Sequence, residues 1–247
     1  QILNNYIGMS QFKHKGEDKK TYVKQMFNDI SKTYDLINFL SSFGIDRYWR
    51  NKLISHIQLS PNQRLLDVAT GTGDVAIGFS KRYHSDVIGM DIATNMIHLA
   101  KGKANKLSLK NINFIEGDAE NLEFKDTSFD ALTISFGFRN LGSYDKGLSE
   151  FYRVLKNNGK IAILEFSQPT VRWFSPIFKF YFNKIIPLIG SFLSKKEAYM
   201  YLPESVDYFL KREDVCIKMK DAGFKNVIYK DYTFGIATLY IGTKYEK

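Results

Sequence analysis

Two glycines and a carboxylate stand where a nucleotide-type ligand could be held. The segment "LLDVATGTGD" carries Gly71 and Gly73, and Ala76 completes a G-x-G-x-x-A spacing. Glycines let the backbone approach a ligand closely, and a helix that starts after them offers free N–H groups. Asp91 follows Gly73 by 18 residues, where a dinucleotide site places its ribose-binding acid. By itself this motif also permits a nicotinamide-dependent oxidoreductase.

Two further acids favour a ligand that contains a cation and an adenine. Asp67 lies just before the glycines, where it would repel a pyrophosphate but attract an ammonium or a sulfonium group. Asp118 ends the segment "INFIEGD". A carboxylate there can accept a hydrogen bond from an adenine amino group, while the N–H of Ala119 donates to a ring nitrogen.

A guanidinium and a carboxamide follow an apolar run in "TISFGFRNLG", residues 133–142. Arg139 and Asn140 come directly after a predicted buried strand. Ligands of open α/β sheets bind at the carboxyl ends of the strands. We therefore expect these two side chains to meet a substrate at that edge.

The elements that must position these groups alternate between strand and helix. Strands are predicted at 64–69, 86–91, 112–118, 129–136 and 159–166, followed by two further strands that join at Phe234-Gly235. Helices are predicted at 74–82, 94–106, 145–155 and 213–222. Such alternation is typical of a doubly wound α/β fold, in which helices cover both faces of a mostly parallel sheet, here of seven strands.

The two ends of the pattern carry additional segments. Residues 1–20 are polar and are predicted to be a flexible arm, and residues 21–247 to form a single domain. Within that domain, 21–58 contains three helical stretches that precede the sheet. Residues 168–208 form an apolar, aromatic insertion that we predict to be a helical lid, because lysines and Pro187 interrupt it too often for a membrane span.

Composition narrows the class of protein. The 247 residues carry 35 Lys and Arg against 26 Asp and Glu, a net charge of +9, which suits an anionic partner without choosing among nucleic acid, membrane surface and small molecule. One cysteine and four scattered histidines predict neither a disulfide framework nor a metal site. No signal-peptide pattern stands at the start of the sequence, so we expect a cytoplasmic protein, in peripheral contact with the inner face of the cell membrane if the lid touches lipid.

Taken in order, these landmarks resemble the S-adenosylmethionine-dependent methyltransferases of the doubly wound type. The glycine loop, Asp91, Asp118-Ala119 and "LKNNG" follow one another as in that superfamily. The resemblance implies S-adenosylmethionine as cofactor, with Rossmann-like topology. It also implies a set of cofactor-binding residues: Asp67, Gly71, Thr72, Gly73, Asp91, Ile92, Asp118, Ala119 and Ser135. In this set Thr72 and the glycine backbone hold the methionine end, and Ser135 lines the sulfonium side.

Longer segments resemble the ubiquinone/menaquinone biosynthesis C-methyltransferases. The segments "YDLINFLSSFGIDRYW" and "RVLKNNGKIAILEFS" are similar to two signatures of that family, and "ISFGFRN" and "YLPESV" match further patterns. The similarity covers about residues 20–245. Two departures are visible: Asp46 stands where the family often has His, and Asn157-Asn158 replaces a common Pro-Gly turn, a change that Asn tolerates.

This second resemblance implies methylation of a ring carbon of a prenylated quinol, with demethylmenaquinol as first choice and a ubiquinone precursor as the alternative. Arg139 and Asn140 would bind and polarise the quinol oxygen, as an oxyanion hole does. Arginine rarely gives up its own proton, so a relay through Tyr34, Asp35 or Asp46 is expected. Five aromatic residues are expected to wall a channel for the isoprenoid tail: Phe136, Phe138, Trp173, Phe174 and Phe178.

Other interpretations remain open at this point. A nicotinamide oxidoreductase would share the glycine loop. A nucleic-acid methyltransferase would suit the basic charge, but those acting on exocyclic amines usually carry a proline motif where this chain has "SFGFRN", so no nucleic-acid partner is expected. A binding module that uses only the apolar lid would leave the cofactor landmarks without a use. A homodimer is compatible with all of these readings.

Overall fold

The computed structural model describes residues 16–186, 188 and 196–245. Its centre is one sheet of seven strands in the order β3-β2-β1-β4-β5-β7-β6. The strands are β1 Arg64–Val68, β2 Asp86–Asp91, β3 Ile112–Glu116, β4 Phe129–Ser135, β5 Leu155–Phe166, β6 Lys225–Tyr232 and β7 Ala237–Thr243. Strands β1 to β5 pair in parallel, and β7 runs antiparallel to both β5 and β6. The predicted doubly wound fold is confirmed.

Eight α-helices accompany this sheet in the described part of the chain. They are α1 Gly16–Ser42, α2 Ile45–His56, α3 Asp74–Tyr83, α4 Thr94–Lys106, α5 Tyr144–Val154, α6 Ser175–Phe180, α7 Lys196–Asp207 and α8 Arg212–Asp221. A π-helical turn, Tyr181–Ile185, continues α6. Among these helices none combines the length and the apolar character that crossing a membrane requires.

Each face of the sheet has its own hydrophobic core. On one face α2, α3 and α4 pack around Phe79 and Phe114. On the other face α5 and α8 pack around Phe151 and Met219. The strand order reverses direction between β1 and β4, and the crossovers there diverge to opposite faces. This switch leaves a crevice outside the carboxyl ends of β1 and β4, which is where such sheets bind ligands.

The amino-terminal prediction was partly wrong. Helix α1 begins at Gly16, within the predicted flexible arm, and runs unbroken to Ser42 where two helical stretches were expected. Lys19 anchors the helix, because its buried ammonium donates to the carbonyls of Arg139 (2.7 Å) and Leu141 (3.0 Å). Burial lowers the pKa of Lys19 to about 8. A lysine-rich stretch of sequence does not reveal that one of its lysines will donate to carbonyl groups far away in the chain. Residues 1–15 of the predicted arm lie outside the described residues.

The insertion at 168–208 is helical where the structure describes it. It consists of α6, the π-helical turn and α7, while 187 and 189–195 fall outside the described residues. Strand β5 starts four residues earlier than the predicted 159, and Asn158 takes up φ +63° within it. The family-type turn at Asn157-Asn158 is therefore absorbed into a long, irregular strand, with Asn in the left-handed conformation that it tolerates.

Candidate active site

Two cavities meet at the switch point. The crevice cavity, about 80 Å³, is walled by the ends of β1, β2 and β4. The apolar cavity, about 450 Å³, lies between α1, α2 and the insertion. Three side chains border both: Phe27, Tyr34 and Phe136. Ligands in the two cavities would therefore lie next to each other across these three side chains, which is the arrangement that a transfer reaction between two molecules requires.

Asp91 is the central polar group of the crevice cavity. Its carboxylate accepts hydrogen bonds from the N–H groups of Gly71 (2.8 Å) and Ala93 (2.9 Å). Burial raises the pKa of Asp91 above its ordinary value. Each carboxylate oxygen has accepting capacity beyond one N–H. Asp91 therefore keeps accepting capacity on the wall of the crevice cavity, where the ribose-binding acid was predicted.

Ser135, at the end of β4, supplies an unsatisfied group on the same wall. Its hydroxyl is buried and has no hydrogen-bond partner among the described residues. An orphaned buried hydroxyl is costly unless a ligand or water satisfies it. The Ser135 hydroxyl and the Asp91 carboxylate are therefore two polar groups that a ligand in this cavity could contact.

Asp118 forms the far end of the crevice cavity, beside Ala119 and Ile92. Its carboxylate accepts from the Glu120 N–H (2.8 Å) and from the Lys20 ammonium (2.9 Å). Lys20 belongs to α1 and is itself part of the cavity wall. The crevice measures far less than the roughly 300–1,000 Å³ of ordinary ligand pockets.

The glycine loop contributes less to the wall than its sequence suggests. Gly71 lines the crevice cavity, but Gly73 does not. A Cβ at Gly73 would lie 2.7 Å from Phe114 Cζ and 3.1 Å from Ala100 Cβ, at φ +86°. This glycine lets α3, α4 and β3 pack closely. The prediction that the Gly73 backbone meets the cofactor is not supported by its position.

Thr72 faces away from both cavities. Its hydroxyl donates to Asp35 (2.6 Å) and accepts from the Lys103 ammonium (2.8 Å). Lys103 also pairs with Asp35 at 2.7 Å. The loop residue between the two glycines therefore ties α1 to α4. Neither Thr72 nor Asp35 lines the crevice cavity or the apolar cavity, so these positions do not support the predicted contact of Thr72 with the methionine end or the predicted relay role of Asp35.

Asp67 lies beneath the loop rather than on the cavity wall. It is buried, and it accepts from the hydroxyls of Thr70 (2.6 Å) and Thr133 (2.7 Å). Burial raises its pKa to about 6. Successive residues of a strand face opposite sides of the sheet, so the position of Asp67 on β1 fixes the side on which its carboxylate lies. The predicted direct attraction to a ligand cation is not supported by this position; Asp67 braces the loop.

Arg139 lies in a short 3₁₀ turn, Phe138–Asn140, directly after β4. It is buried and forms an ion pair with Glu165 of β5 (2.5 Å), a residue with no solvent exposure. Its Nη1 also donates to the Phe136 carbonyl (2.7 Å), and its Nε to the Ser205 hydroxyl (3.2 Å). Its Nη2 makes no hydrogen bond with any residue that the structure describes. The guanidinium borders the apolar cavity, as expected for a substrate contact.

Asn140 borders the other cavity. Its side chain lines the crevice, and its Oδ1 accepts from the Tyr201 hydroxyl at 3.0 Å. The prediction had both Arg139 and Asn140 holding one substrate oxygen. The structure instead divides them between the two cavities, because consecutive residues of a tight turn point in different directions.

Tyr34 stands between the cavities. It borders both, and burial raises its pKa above the ordinary phenol value. At neutral pH it keeps its proton and acts as a hydrogen-bond donor rather than as a base.

Asp46 lines the apolar cavity from α2, as a relay candidate should. Its carboxylate forms an ion pair with Arg50 and accepts from the Ser42 hydroxyl (2.7 Å). Gly44 is the N-cap residue of α2, and Asp46 lies in its first turn. A third, polar cavity of about 450 Å³ lies behind this pair, and Asp46, Arg50 and Asn38 border both it and the apolar cavity.

The tail channel was predicted with mixed success. Phe136, Phe174 and Phe178 lie on the wall of the apolar cavity. Phe138 instead belongs to the core under β4, and Trp173 is mostly exposed. Phe138 and Trp173 lie close in sequence to the wall residues Phe136 and Phe174, but their side chains face a different side of the segment.

Sequence reasoning missed the residues that hold the reactive turn. Glu165 was read only as part of a strand, and Tyr201 and Ser205 only as part of the pattern "YLPESV". Tyr201 and Ser205 are one helical turn apart on α7, so they share a face, and that face contacts the turn at Asn140 and Arg139. The sequence shows the spacing of Tyr201 and Ser205, but it does not show which residues their shared helix face contacts.

Comparison with known proteins extends this picture. A family model described as "ubiE/COQ5 methyltransferase family" matches residues 14–244. A protein of Geotalea daltonii named "Ubiquinone/menaquinone biosynthesis C-methyltransferase UbiE" is 44% identical, over 92% of this chain and 98% of its own. A "Demethylmenaquinone methyltransferase" of Deinococcus radiodurans is 42% identical, over 92% of this chain and 95% of its own.

Among solved structures, a phosphoethanolamine N-methyltransferase 2 of Haemonchus contortus in complex with S-adenosyl-L-methionine has a similar fold. Its TM-score is 0.62 at 16% identity, over 80% of this chain and 52% of the other. At that identity the likeness concerns the fold alone.

Proposed function

The chain belongs to the ubiE/COQ5 methyltransferase family, and we propose that it methylates a ring carbon of a reduced prenylated quinone, with demethylmenaquinol as its substrate. Family membership assigns the glycine loop to an S-adenosylmethionine-dependent methyltransferase rather than to an oxidoreductase. The relatives named above are described as acting in quinone biosynthesis or on demethylmenaquinone. The two adjoining cavities suit one polar and one apolar ligand.

The crevice cavity suits the methyl donor. All five residues that we assign to it line this cavity. In the proposal Asp91 accepts from ribose hydroxyls, Asp118 and Ala119 bind adenine, and Ser135 and Asn140 line the remaining polar wall. When bound, S-adenosylmethionine supplies an electrophilic methyl group on a positively charged sulfur. The protein's part is to hold that group against the apolar cavity, at the border formed by Tyr34 and Phe136.

One observation carries the proposal: a guanidinium whose Nη2 has no hydrogen-bond partner among the described residues lies on the wall of a large apolar cavity. Glu165 fixes the other side of the Arg139 group, so Nη2 is held in place before any substrate arrives. A donor fixed in an apolar wall stabilises negative charge on a bound oxygen more strongly than water does. Negative charge on a quinol oxygen raises electron density at the neighbouring ring carbon.

The quinol hydroxyl must also lose its proton. Tyr34 remains protonated, so it orients the oxygen instead of removing the proton. Asp46 is the carboxylate that borders both the apolar cavity and the polar cavity behind it. We assign to it the proton transfer out of the apolar cavity, with Arg50 holding the carboxylate and the polar cavity leading on to solvent. When the ring carbon takes the methyl group it gives up its own hydrogen as a proton and the oxygen is protonated again, so one proton in all leaves for each methyl group transferred.

The test measures methyl transfer from labelled S-adenosylmethionine to demethylated naphthoquinones and to benzoquinone precursors of ubiquinone. Each acceptor is supplied reduced and oxidised. We expect the reduced naphthoquinone to be methylated fastest and the oxidised rings to be inert, because only the reduced ring carries an ionisable hydroxyl. Equal rates on oxidised and reduced rings would contradict the mechanism, and preference for the benzoquinol would replace the substrate.

Arg139→Lys separates the two duties of this side chain. A lysine can keep the ion pair with Glu165 but presents no second amino group to the cavity. We expect an unchanged fold by circular dichroism, unchanged donor affinity by calorimetry, and turnover lowered on the order of 10²-fold. Full turnover in this variant would remove Nη2 from the mechanism, and lost donor affinity would move Arg139 to the cofactor site.

A further inference from the structure

The mouth of the apolar cavity is edged by exposed hydrophobic side chains. Four residues both line the cavity and stand open to solvent: Phe43, Ile45, Ile177 and Phe234. Beside them lie Trp173 and Phe180, which do not line the cavity and are 65% and 64% exposed. We call these six residues the rim. Phe43, at 77%, is the most exposed of them.

The rim comes from three separate segments that contact one another. Phe43, in the turn between α1 and α2, lies 5.9 Å from the ring of Tyr181, whose hydroxyl donates to the Ser41 carbonyl at 2.9 Å. The Trp173 ring lies 5.9 Å from that of Phe234. Distant parts of the chain therefore join into one apolar surface around the mouth. Contiguous exposed patches of this kind mark interaction sites.

The charge around the rim is basic. Arg172, Lys179 and Lys184 are exposed on the insertion. Residues 168–196 contain no Asp or Glu. Asp46, the acid nearest to the rim on α2, is buried and paired with Arg50. An aromatic surface next to a segment that carries cations and no acids complements a lipid surface with negative head groups.

We propose that the rim seats in the surface of an anionic lipid bilayer, so that the mouth of the apolar cavity opens into the acyl region. This rests on the proposed function, because a prenylated quinol resides in the bilayer and its tail would otherwise cross water to reach the cavity. The aromatic rings of the rim fill the boundary between head groups and chains, and Lys179, Lys184 and Arg172 meet the phosphates. The tail then passes from lipid into the cavity along one continuous apolar surface.

Vesicle sedimentation tests the proposal with the full chain. Vesicles of phosphatidylcholine alone are compared with vesicles that also contain phosphatidylglycerol. We expect the wild-type protein to sediment with the anionic vesicles and to be partly released by high salt. Trp173→Ser combined with Phe180→Ser should weaken binding about tenfold or more, because two large apolar surfaces are lost.

A control variant replaces two exposed apolar side chains with serine elsewhere on the surface. Ile217 and Ile228 are 52% and 51% exposed, and neither lines the apolar cavity. Ile217→Ser with Ile228→Ser should bind anionic vesicles as the wild type does. Equal weakening by both pairs, or wild-type protein that ignores anionic vesicles, would overturn the proposal. A dimer of the wild type that dissociates in the rim variant, without vesicle binding, would overturn it too and make the rim an interface between two copies.

Activity measurements keep this proposal distinct from the proposed function. With a short-tailed, water-soluble quinol and no vesicles, the Trp173/Phe180 variant should turn over at the wild-type rate. With a long-tailed quinol dissolved in anionic vesicles, its rate should fall in line with its binding. If the wild type turns over the short-tailed quinol and both proteins have the same rate on vesicles, the proposed role of the rim is wrong. The proposed methyltransferase reaction would not be affected by that result.

Discussion

The buried ion pair between Arg139 and Glu165 permits a quantitative prediction. Glu165 has no solvent exposure, and it accepts from the Arg139 side chain and from the N–H groups of Arg139 and Phe166. In Glu165→Gln the volume and the acceptor oxygen remain, but the guanidinium loses its counter-charge. Breaking a buried pair at one side leaves an uncompensated charge and costs about 3–5 kcal/mol.

For a chain of 247 residues this cost translates into a fall in Tm of about 6–20 °C, at roughly 2–4 °C per kcal/mol. Arg139→Met should lose a similar amount, because it strands the Glu165 carboxylate in the interior. The double variant Arg139→Met/Glu165→Gln removes both charges. The double variant should therefore lose much less free energy of unfolding than the two single variants lose together.

Urea unfolding followed by circular dichroism measures the four proteins of this cycle, and labelled methyl transfer measures their turnover. Lys218→Met is the control, since Lys218 pairs with Asp145 on the surface (2.7 Å) and should cost less than about 1 kcal/mol. We expect the double variant to regain stability but no activity. Two additive losses, each under about 1 kcal/mol, would refute the buried pair, and recovered turnover would refute the role of Arg139 Nη2.

Three other variants test individual positions. Gly73→Ala should lower the free energy of unfolding by about 1–3 kcal/mol in urea denaturation, because its Cβ would meet Phe114; a loss of donor affinity without a loss of stability would contradict this. Ser135→Ala should weaken donor binding measured by calorimetry by about tenfold, and unchanged affinity would leave its orphaned hydroxyl without a ligand. Asp67 has a folded pKa raised to about 6 from 3.8, so the folded state binds the proton more tightly and the stability from this group is lost as pH rises from about 4 to 6. Asp67→Asn should remove about 3 kcal/mol of that pH dependence in paired urea titrations, and parallel curves for the two proteins would contradict the shift.

Local patterns were enough to predict most of the framework. The alternation of buried strands with amphipathic helices predicts β1 to β5 and their helices, since the two periodicities of 2 and 3.6 residues are written into neighbouring positions. Failures occurred where a local pattern gave no hint of a distant partner. The lysines of α1 are polar in sequence, yet Lys19 is buried against carbonyls 120 and 122 residues away.

The amino-acid sequence by itself determined the fold class and the acids at the strand ends, because these follow from residue types at fixed spacings, and its resemblance to known signatures implied the family. Only the tertiary structure decided which of those groups meet a cavity. Asp91 and Asp118 line the crevice cavity, whereas the side chains of Asp67 and Thr72 are hydrogen-bonded to other residues of the protein. The physical reason is that a side chain's direction is set by its own turn or strand, while its availability depends on what other elements bring beside it.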